Sequence, residues 1–530
     1  MPIIQKAGMA LFLLAIALLT AIPFMGQYRL TPQMVEEVVT DTGQLEYVSA
    51  ELEEMLGKTY SSKFAYISDL DDAFSTSATK IQDYNQIDNR ETEVNNLEEY
   101  MAGQYKFYLT RKATTGTIQE HTGLWLLLTI GLGTLGAFLY ILPKLGLLPG
   151  IKNDHIFHSQ NTGLGWIGYT IGTLLILFYV LLYWYPEYIT EWMVLTDPIS
   201  KRISGNEASQ WFFYGLLYTL AILVMGVRMI IKYRHSRYHI IRTLSVMFFQ
   251  TAFAFMIPEI LIRLNQPYFD FKNIWPLNYN FFFDYNIEQF TSSGSVGLFM
   301  LIWGILLVIV AVPLFSYFYG KRWYCSWVCG CGGLAETLGD PYRQLSNKSL
   351  KAWKVERWMI HSVLVFAVVM TAGVLYTYFT GSGTFLFIDT YTLRATYGFL
   401  IGAAFAGVVG VGFYPIMGNR VWCRFGCPLA AYIGIVQRFK SRFRITTNGG
   451  QCISCGNCST YCEMGIDVRW YAQRGQNIVR SSCVGCGVCA SVCPRGVLKL
   501  ENGEEEGRFG KPILIGNNSV QVFSDLDYIR

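Results

Sequence analysis

The first 324 residues of this chain contain no cysteine, and all 13 cysteines lie at or after Cys325. A secreted, disulfide-bonded protein would not segregate its cysteines in this way, so reduced thiols or metal ligands are expected. Charged residues are few as well: they make up 15% of the 530 residues, whereas 52% are hydrophobic. The net charge of +4 is too small to indicate a nucleic-acid partner. The chain has no Cys-x-x-Cys-His motif, which excludes a c-type haem attached through the ordinary motif.

Long apolar runs, by contrast, recur along the chain, and eight of them are long enough to cross a hydrocarbon layer of about 30 Å. They lie near residues 7–25, 123–143, 164–186, 211–231, 240–262, 296–318, 359–380 and 397–417. The first run is preceded by a single cation, Lys6, and is followed by no clear small-residue cleavage site. We therefore expect an uncleaved N-terminal anchor rather than a signal peptide.

The charge of the loops alternates along the chain. Residues 232–242 and 321–357 are basic, whereas residues 26–122 carry 17 Asp or Glu against 8 Lys or Arg. The positive-inside rule then places both termini and all of the cysteines on the cytoplasmic side, and residues 26–122 on the exported side. This exported domain is predicted to be small and helical, because its apolar residues follow a helical spacing after Thr31-Pro32.

Eight of the cysteines form two consecutive runs with the same spacing. The runs read Cys452-Ile-Ser-Cys455-Gly-Asn-Cys458-Ser-Thr-Tyr-Cys462 and Cys483-Val-Gly-Cys486-Gly-Val-Cys489-Ala-Ser-Val-Cys493-Pro494. In bacterial two-cluster ferredoxins with this spacing, three cysteines of each run bind one [4Fe–4S] cluster and the fourth binds the other. We name the two predicted ligand sets site 1 (Cys452, Cys455, Cys458 and Cys493) and site 2 (Cys483, Cys486, Cys489 and Cys462). Two zinc knuckles are the alternative, since Cys-x-x-Cys pairs also bind zinc, but the duplicated pattern favours iron–sulfur clusters.

The other five cysteines belong to a second repeat, whose two copies are 98 residues apart. The copies read Gly320-Lys-Arg322-Trp-Tyr-Cys325-Ser-Trp-Val-Cys329-Gly-Cys331 and Gly418-Asn-Arg420-Val-Trp-Cys423-Arg-Phe-Gly-Cys427-Pro428. Two spans separate the copies, so both emerge at the same membrane face. We name Cys325, Cys329, Cys331, Cys423 and Cys427 the membrane-face cysteines. Two Cys-x3-Cys pairs would form a four-thiolate site for a further iron–sulfur cluster or for Cu(I), and reduced thiols packed in a core are the alternative.

Residues 268–285, between the fifth and sixth spans, are dense in aromatic side chains. Aromatic belts are typical of the membrane–water interface, so an interfacial loop is predicted there. The rim of a quinone headgroup site is the alternative interpretation.

Taken together, these motifs resemble the membrane-bound 4Fe–4S polyferredoxin family. This family includes the quinol-oxidising membrane subunit of periplasmic nitrate reduction, the nitrous-oxide-reductase maturation protein and the copper–haem oxidase assembly protein. The resemblance covers roughly residues 211 to 500. The second membrane-face motif has the family's Cys-x3-Cys-Pro form, whereas the first has Gly330 in place of proline and an added Cys331. Glu463 also stands where a ferredoxin run often has proline.

The resemblance implies a membrane-bound electron-transfer (oxidoreductase) subunit of the bacterial inner membrane. It would pass electrons between the quinone pool or a cytoplasmic donor and a respiratory metalloenzyme system, with quinol and redox proteins as its partners. An assembly or maturation factor, which reduces thiol-bound copper or a disulfide at the membrane-face cysteines, is the alternative. A redox sensor whose clusters report to the exported domain is a third hypothesis.

The predicted fold is a polytopic α-helical membrane protein of about eight spans, with a C-terminal cytoplasmic ferredoxin-like α+β domain and a small exported helical domain. The predicted segments are an anchor (1–25), the exported acidic domain (26–122), spans 2–5 (123–262), spans 6–8 with both Cys-x3-Cys motifs (263–437), the two-cluster ferredoxin domain (438–500) and a tail (501–530).

Overall fold

A computed structural model describes residues 3–86, 94–145, 148–150, 164–448, 451–502, 513–515 and 520–522. The chain forms two compact units, one made of Met1–Pro143 with Val180–Leu216 and the other of Lys144–Tyr179 with Leu217–Arg530. Most of the predicted tail, 501–530, lies outside the described residues.

Within the described residues, eight helices are long and apolar enough to cross a membrane, which confirms the predicted number. Numbered in chain order as spans 1 to 8, they are Ile3–Phe24, Thr122–Ile141, Trp166–Trp184, Gln210–Lys232, Arg237–Arg263, Gly294–Tyr319, Leu350–Thr380 and Thr390–Gly412. Span 8 ends about one turn earlier than predicted, because a separate short helix, Tyr414–Met417, follows it with Pro415 in its first turn.

The first unit contains a small domain of helices and a three-stranded sheet between spans 1 and 2. The helices are Pro32–Val38, Thr42–Leu52, Lys63–Asn85, Glu99–Ala113 and, from later in the chain, Thr190–Ile203. Strand β1 (Gln27–Arg29) lies between β2 (Thr59–Tyr60) and β3 (Thr114–Thr115), antiparallel to both. Glu191 and Asp197 of the last helix form ion pairs with Lys63 and Arg111. The predicted helical character is confirmed, but strands of two or three residues are too short to show an alternating pattern.

The second unit joins membrane helices to the ferredoxin segment through one core. Its shorter helices are Asp284–Ser292, Arg322–Cys325, Gly330–Thr337, Tyr414–Met417 and Pro428–Lys440. A hairpin of β4 (Thr384–Phe385) and β5 (Ile388–Asp389) precedes span 8. The shared core is made of buried apolar side chains from both parts, among them Tyr324, Leu429, Ile433, Ile466 and Ile478.

The ferredoxin segment has the duplicated arrangement that its cysteine runs predict. Strands β6 (Phe443–Thr447) and β7 (Leu498–Asn502) pair antiparallel from its two ends. Between them lie the short helices Asn457–Thr460, Val468–Gln473 and Val488–Ser491. Strands β8 (Ile513–Ile515) and β9 (Val520–Val522) form a separate antiparallel pair.

Candidate metal centres

The four cysteines of site 1 line one pocket near the surface of the ferredoxin segment. Cys455 is exposed, whereas Cys458 is buried. Burial, followed by the negative charges of Cys493, Cys455 and Cys452, raises the pKa of the Cys458 thiol to about 12. The structure therefore brings Cys493, the last cysteine of the second run, to the first three cysteines of the other run.

The four cysteines of site 2 meet deeper in the segment. Burial raises the pKa of the Cys489 thiol, and the charges of Cys486, Cys462 and Cys483 raise it further. The charge of Cys458 also acts on Cys489, so the two sites are neighbours. Cys462, the last cysteine of the first run, therefore lies beside the first three cysteines of the second run.

Both sites fit a [4Fe–4S] cluster, which binds four cysteine thiolates. Backbone turns with positive φ wrap the Cys-x-x-Cys loops around each site: φ is 59° at Ser454, 83° at Gly456, 63° at Gly485 and 81° at Gly487. Within the described part of the chain, no three His, Cys, Asp or Glu side chains stand close enough to hold one metal ion.

The two membrane-face motifs end in the same local structure. Cys329 and Cys427 each cap the N-terminus of a helix, Gly330–Thr337 and Pro428–Lys440 respectively. The Cys427 sulfur accepts a hydrogen bond from the Ala430 amide at 3.4 Å. Helix N-termini carry partial positive charge and favour thiolates, so both caps suit metal-binding cysteines.

Gly330, which stands where the second motif has proline, lies against span 5. A Cβ atom added at Gly330 would lie 2.7 Å from the Gln250 side-chain oxygen, closer than real Cβ contacts allow. Gln250 is 13 residues into span 5, about 20 Å along a helix that rises 1.5 Å per residue. The first motif therefore packs against span 5, with Gly330 next to the end of the Gln250 side chain.

The five membrane-face cysteines form one group. Burial raises the pKa of the Cys427 thiol, and the charges of Cys423, Cys325 and Cys329 raise it further. The side-chain interaction with Cys331 is the main reason that the pKa of the Cys329 thiol is lowered to about 6. Cys331 thus lies beside the two Cys-x3-Cys pairs.

Three buried cations surround this thiol group: Lys272, Lys321 and Arg420. A guanidinium nitrogen of Arg420 lies 3.7 Å from the Cys423 sulfur. Lys321 favours the thiolate of Cys325, although burial dominates and raises the pKa of that thiol to about 12. Opposite charges nearby stabilise thiolates, so the site is suited to a centre of negative charge.

Lys272 lies in the connection between the end of span 5 and the start of span 6, yet it is close to the membrane-face cysteines. Residues 264–293 connect those ends, and span 6 alone is 26 residues, about 39 Å, long. Nevertheless the Lys272 carbonyl accepts a hydrogen bond of 2.9 Å from the Tyr324 hydroxyl, beside Cys325. The Trp303 indole, nine residues into span 6, donates to the Phe271 carbonyl at 2.9 Å. This connection, which we name the re-entrant segment, therefore folds back between the helices, and Phe269, Phe281 and Phe283 are buried.

A buried polar layer joins the membrane-face cysteines to site 2. The Ser326 hydroxyl, one residue after Cys325, donates to the Val484 carbonyl at 2.8 Å, one residue after Cys483. Arg420 donates to the carboxylates of Glu336 at 2.6 Å and Glu463 at 2.9 Å.

Two more arginines complete this layer. Arg343 lies 2.8 Å from the Glu463 carboxylate, and Arg242 pairs with Glu336 at 2.8 Å while donating to the Cys486 carbonyl. Burial opposes the charged form of Glu463, but Arg343 and Arg420 outweigh it and lower its pKa to about 2.

Sequence reasoning missed the partners of the cysteines. Glu463 was noted only as a replacement for proline, although it holds two buried arginines. The available signal was weak: it consists of charged residues in segments that are otherwise apolar, and it does not show which of them pair.

Comparisons with known proteins agree with the ferredoxin prediction. A family model described as a 4Fe–4S dicluster domain matches residues 423–498. A second, described as a 4Fe–4S binding domain, matches residues 300–350 and 398–446, which contain both membrane-face motifs.

Two curated relatives match part of the chain. Over 170 residues this chain is 27% identical to YccM of Escherichia coli (strain K12), a protein named for electron transport. That match covers 31% of this chain and 47% of YccM. Over 158 residues the chain is 26% identical to MauN of Methylobacillus flagellatus, a ferredoxin-type protein named for methylamine utilization. That match covers 29% of this chain and 52% of MauN. The chain spans about half the length of these relatives. No solved structure matches the chain significantly. The predicted resemblance to membrane polyferredoxins is confirmed by these matches.

Proposed function

We propose that this chain is a membrane-bound iron–sulfur electron-transfer protein with three centres in series. Site 1 and site 2 would each hold a [4Fe–4S] cluster, and Cys325, Cys329, Cys423 and Cys427 would hold a third. Similarity to a protein named for electron transport supports the reaction class. When bound, the clusters supply one-electron transfer.

The observation that carries this proposal is the bridge between the two cysteine groups. Ser326 and Val484 are joined by a hydrogen bond of 2.8 Å, and each directly follows a cysteine proposed as a ligand. The shared core buries this bridge, and the arginine–carboxylate layer fixes it in place. The chain therefore supplies a short, water-excluded connection from site 2 to the membrane-face group.

The donor set supports a cluster at the membrane face. Four buried thiols, two helix N-termini and three cations converge there, and this combination stabilises a cluster whose net charge is negative. The fifth cysteine, Cys331, is expected to donate its S–H to the Cys329 sulfur and not to bind iron.

The electron partners and the topology are part of the proposal as well. Electrons would move between the quinone pool or a cytoplasmic donor and a respiratory metalloenzyme system. The loop charges support an inner-membrane protein whose ferredoxin domain (438–500) is cytoplasmic and whose acidic domain (26–122) is exported. The other segment boundaries given from the sequence are proposed with them.

A second function is favoured by the pairing of Cys329 with Cys331. An adjacent thiol pair beside other thiols suits transient binding of Cu(I) or exchange of a disulfide. On this hypothesis sites 1 and 2 would deliver electrons to copper or to a disulfide during the maturation of a metalloenzyme.

Replacing Cys423 and Cys427 with serine separates the two functions. The electron-transfer proposal predicts that iron falls from about twelve to about eight atoms per chain, with the loss of one EPR signal. A maturation factor would keep its iron and both ferredoxin signals, while its client enzyme lost metal. If neither iron nor client changed, the membrane-face cysteines would be structural and the third centre would be wrong.

A further inference from the structure

Site 1 is the part of the cysteine system that opens to the surface. Cys455 is exposed, and its neighbour Ile453 is 53% exposed. In site 2, by contrast, Cys483 and Cys489 are buried. An electron carrier in solution would therefore approach site 1 more closely than site 2.

The ferredoxin segment contacts the helices of its unit through its other end. The Tyr238 hydroxyl donates to the Gly485 carbonyl at 2.8 Å, and the Gln437 amide donates to the Cys483 carbonyl at 2.9 Å. Ser346 donates to the Glu463 carbonyl at 2.7 Å. These contacts surround site 2, so site 1 faces away from the helices.

The surface around site 1 is positive and partly apolar. Arg469 and Arg495 are exposed and line the same pocket as the site 1 cysteines. Arg474 lies 4.0 Å from the centre of the Trp470 ring, and Trp470 is 40% exposed. We name Ile453, Arg469, Trp470, Arg474 and Arg495 the site 1 rim.

In the described part of the ferredoxin segment, two carboxylates accept hydrogen bonds from hydroxyl groups. Asp467 accepts a hydrogen bond of 2.6 Å from Ser459, and Glu501 accepts one of 2.7 Å from Thr446. Arg469 and Arg495 themselves are exposed, so their charges are open to solvent.

We propose that the site 1 rim is the docking surface for a soluble, acidic, one-electron carrier protein. This inference rests on the proposed function. Exposed arginines beside a tryptophan are typical of interface anchors, and charge complementarity raises association rates. In the transfer one electron leaves the carrier and reduces this chain by one electron, or the reverse, and no bond or proton needs to move.

The test uses the full-length chain in nanodiscs made of zwitterionic lipid. The probe is a purified plant-type [2Fe–2S] ferredoxin, an acidic protein, mixed by stopped flow in the direction that the measured potentials favour. We expect the bimolecular rate to fall as salt rises, and to drop at least tenfold at low salt in the double variant R469E/R495E. The milder variant R469Q/R495Q should show a smaller loss.

Two controls distinguish a loss of docking from a loss of the native fold or of the clusters. The variant K351E/K354E makes the same change of charge at exposed positions in the first turns of span 7 and should keep the rate. Electron exchange with the small cation methyl viologen should not be slower in R469E/R495E than in the native chain. The EPR signals of this variant should match those of the native chain.

Each outcome is decisive. The ferredoxin rate could change neither with salt nor in R469E/R495E, while viologen still reduced the clusters. This result would overturn the docking surface but would not contradict the electron-transfer function. A rate that responds to anionic lipid in the nanodisc but not to the variant would also overturn the rim as the docking surface, because the electrostatic effect would then act elsewhere. Absence of iron–sulfur signals in the native chain would overturn the proposed function itself.

Discussion

Arg322 and Arg420 occupy the same position in the two copies of the membrane-face repeat, yet their surroundings differ. Arg322 lies 5.1 Å from the centre of the Phe443 ring and 5.6 Å from that of Tyr319. Arg420 is fully buried and donates to the carboxylates of Glu336 and Glu463. Removal of this buried guanidinium would leave Glu336 with Arg242 and Glu463 with Arg343 as partners, so each buried carboxylate would lose one of its two arginines.

Replacement of Arg420 by methionine should therefore be costly. We expect a loss of about 3–5 kcal/mol in the free energy of unfolding, since a partner of buried ions is removed. The matched change Arg322→Met should cost only about 1–2 kcal/mol, the scale of a cation–π contact at a half-buried site. Denaturant unfolding followed by tryptophan fluorescence measures both variants, and equal losses would contradict the distinct role given to Arg420.

The fifth cysteine gives a second prediction at the residue scale. Cys331→Ala should retain about twelve irons per chain, because the proposed third cluster takes its thiolates from Cys325, Cys329, Cys423 and Cys427. Cys329→Ala should retain about eight, because it removes a ligand of the third cluster. Iron analysis of the two variants, purified without oxygen, checks this. A loss of iron in the Cys331→Ala variant would mean that Cys331 binds metal.

At the scale of elements, the re-entrant segment decides the environment of the membrane-face group. It brings Lys272 to the cysteines, with Asp270 at 3.1 Å as its counter-charge. A cation beside a cluster stabilises the reduced, more negative state and so raises the reduction potential.

Lys272→Met should lower the potential of the third cluster by on the order of 60 mV, which corresponds to about 1.4 kcal/mol for one electron. The counterpart Asp270→Asn should shift it in the opposite direction, since the lysine charge is then uncompensated. EPR-monitored redox titration measures both shifts, and sites 1 and 2 serve as internal references. Unchanged potentials in both variants would show that the segment is a structural element only.

These elements also show how far the sequence could predict the structure. Ligand sets in a ferredoxin follow from local spacing, so the crossed grouping of Cys462 and Cys493 was predictable. The re-entrant segment was not, because aromatic density is equally typical of an interfacial loop and of a buried one. The partners of Glu463 and Lys272 depend on contacts between distant segments, which no spacing along the chain encodes.

At the scale of the whole molecule, the three cysteine groups differ in access to solvent. Site 1 lies in a pocket at the surface, site 2 lies beneath it, and the membrane-face group lies against the spans. Mild ferricyanide oxidation should accordingly remove about four irons from site 1 before the others. Its EPR signal should disappear first, and simultaneous loss of all the signals would contradict this ordering.

The most direct measurement is iron and acid-labile sulfide per chain on full-length protein purified without oxygen, read beside its low-temperature EPR spectrum. Three centres in series predict about twelve irons and about twelve sulfides. About eight of each would contradict the third cluster and favour copper or disulfide chemistry at the membrane-face cysteines, and a chain that holds neither iron nor sulfide would contradict electron transfer altogether.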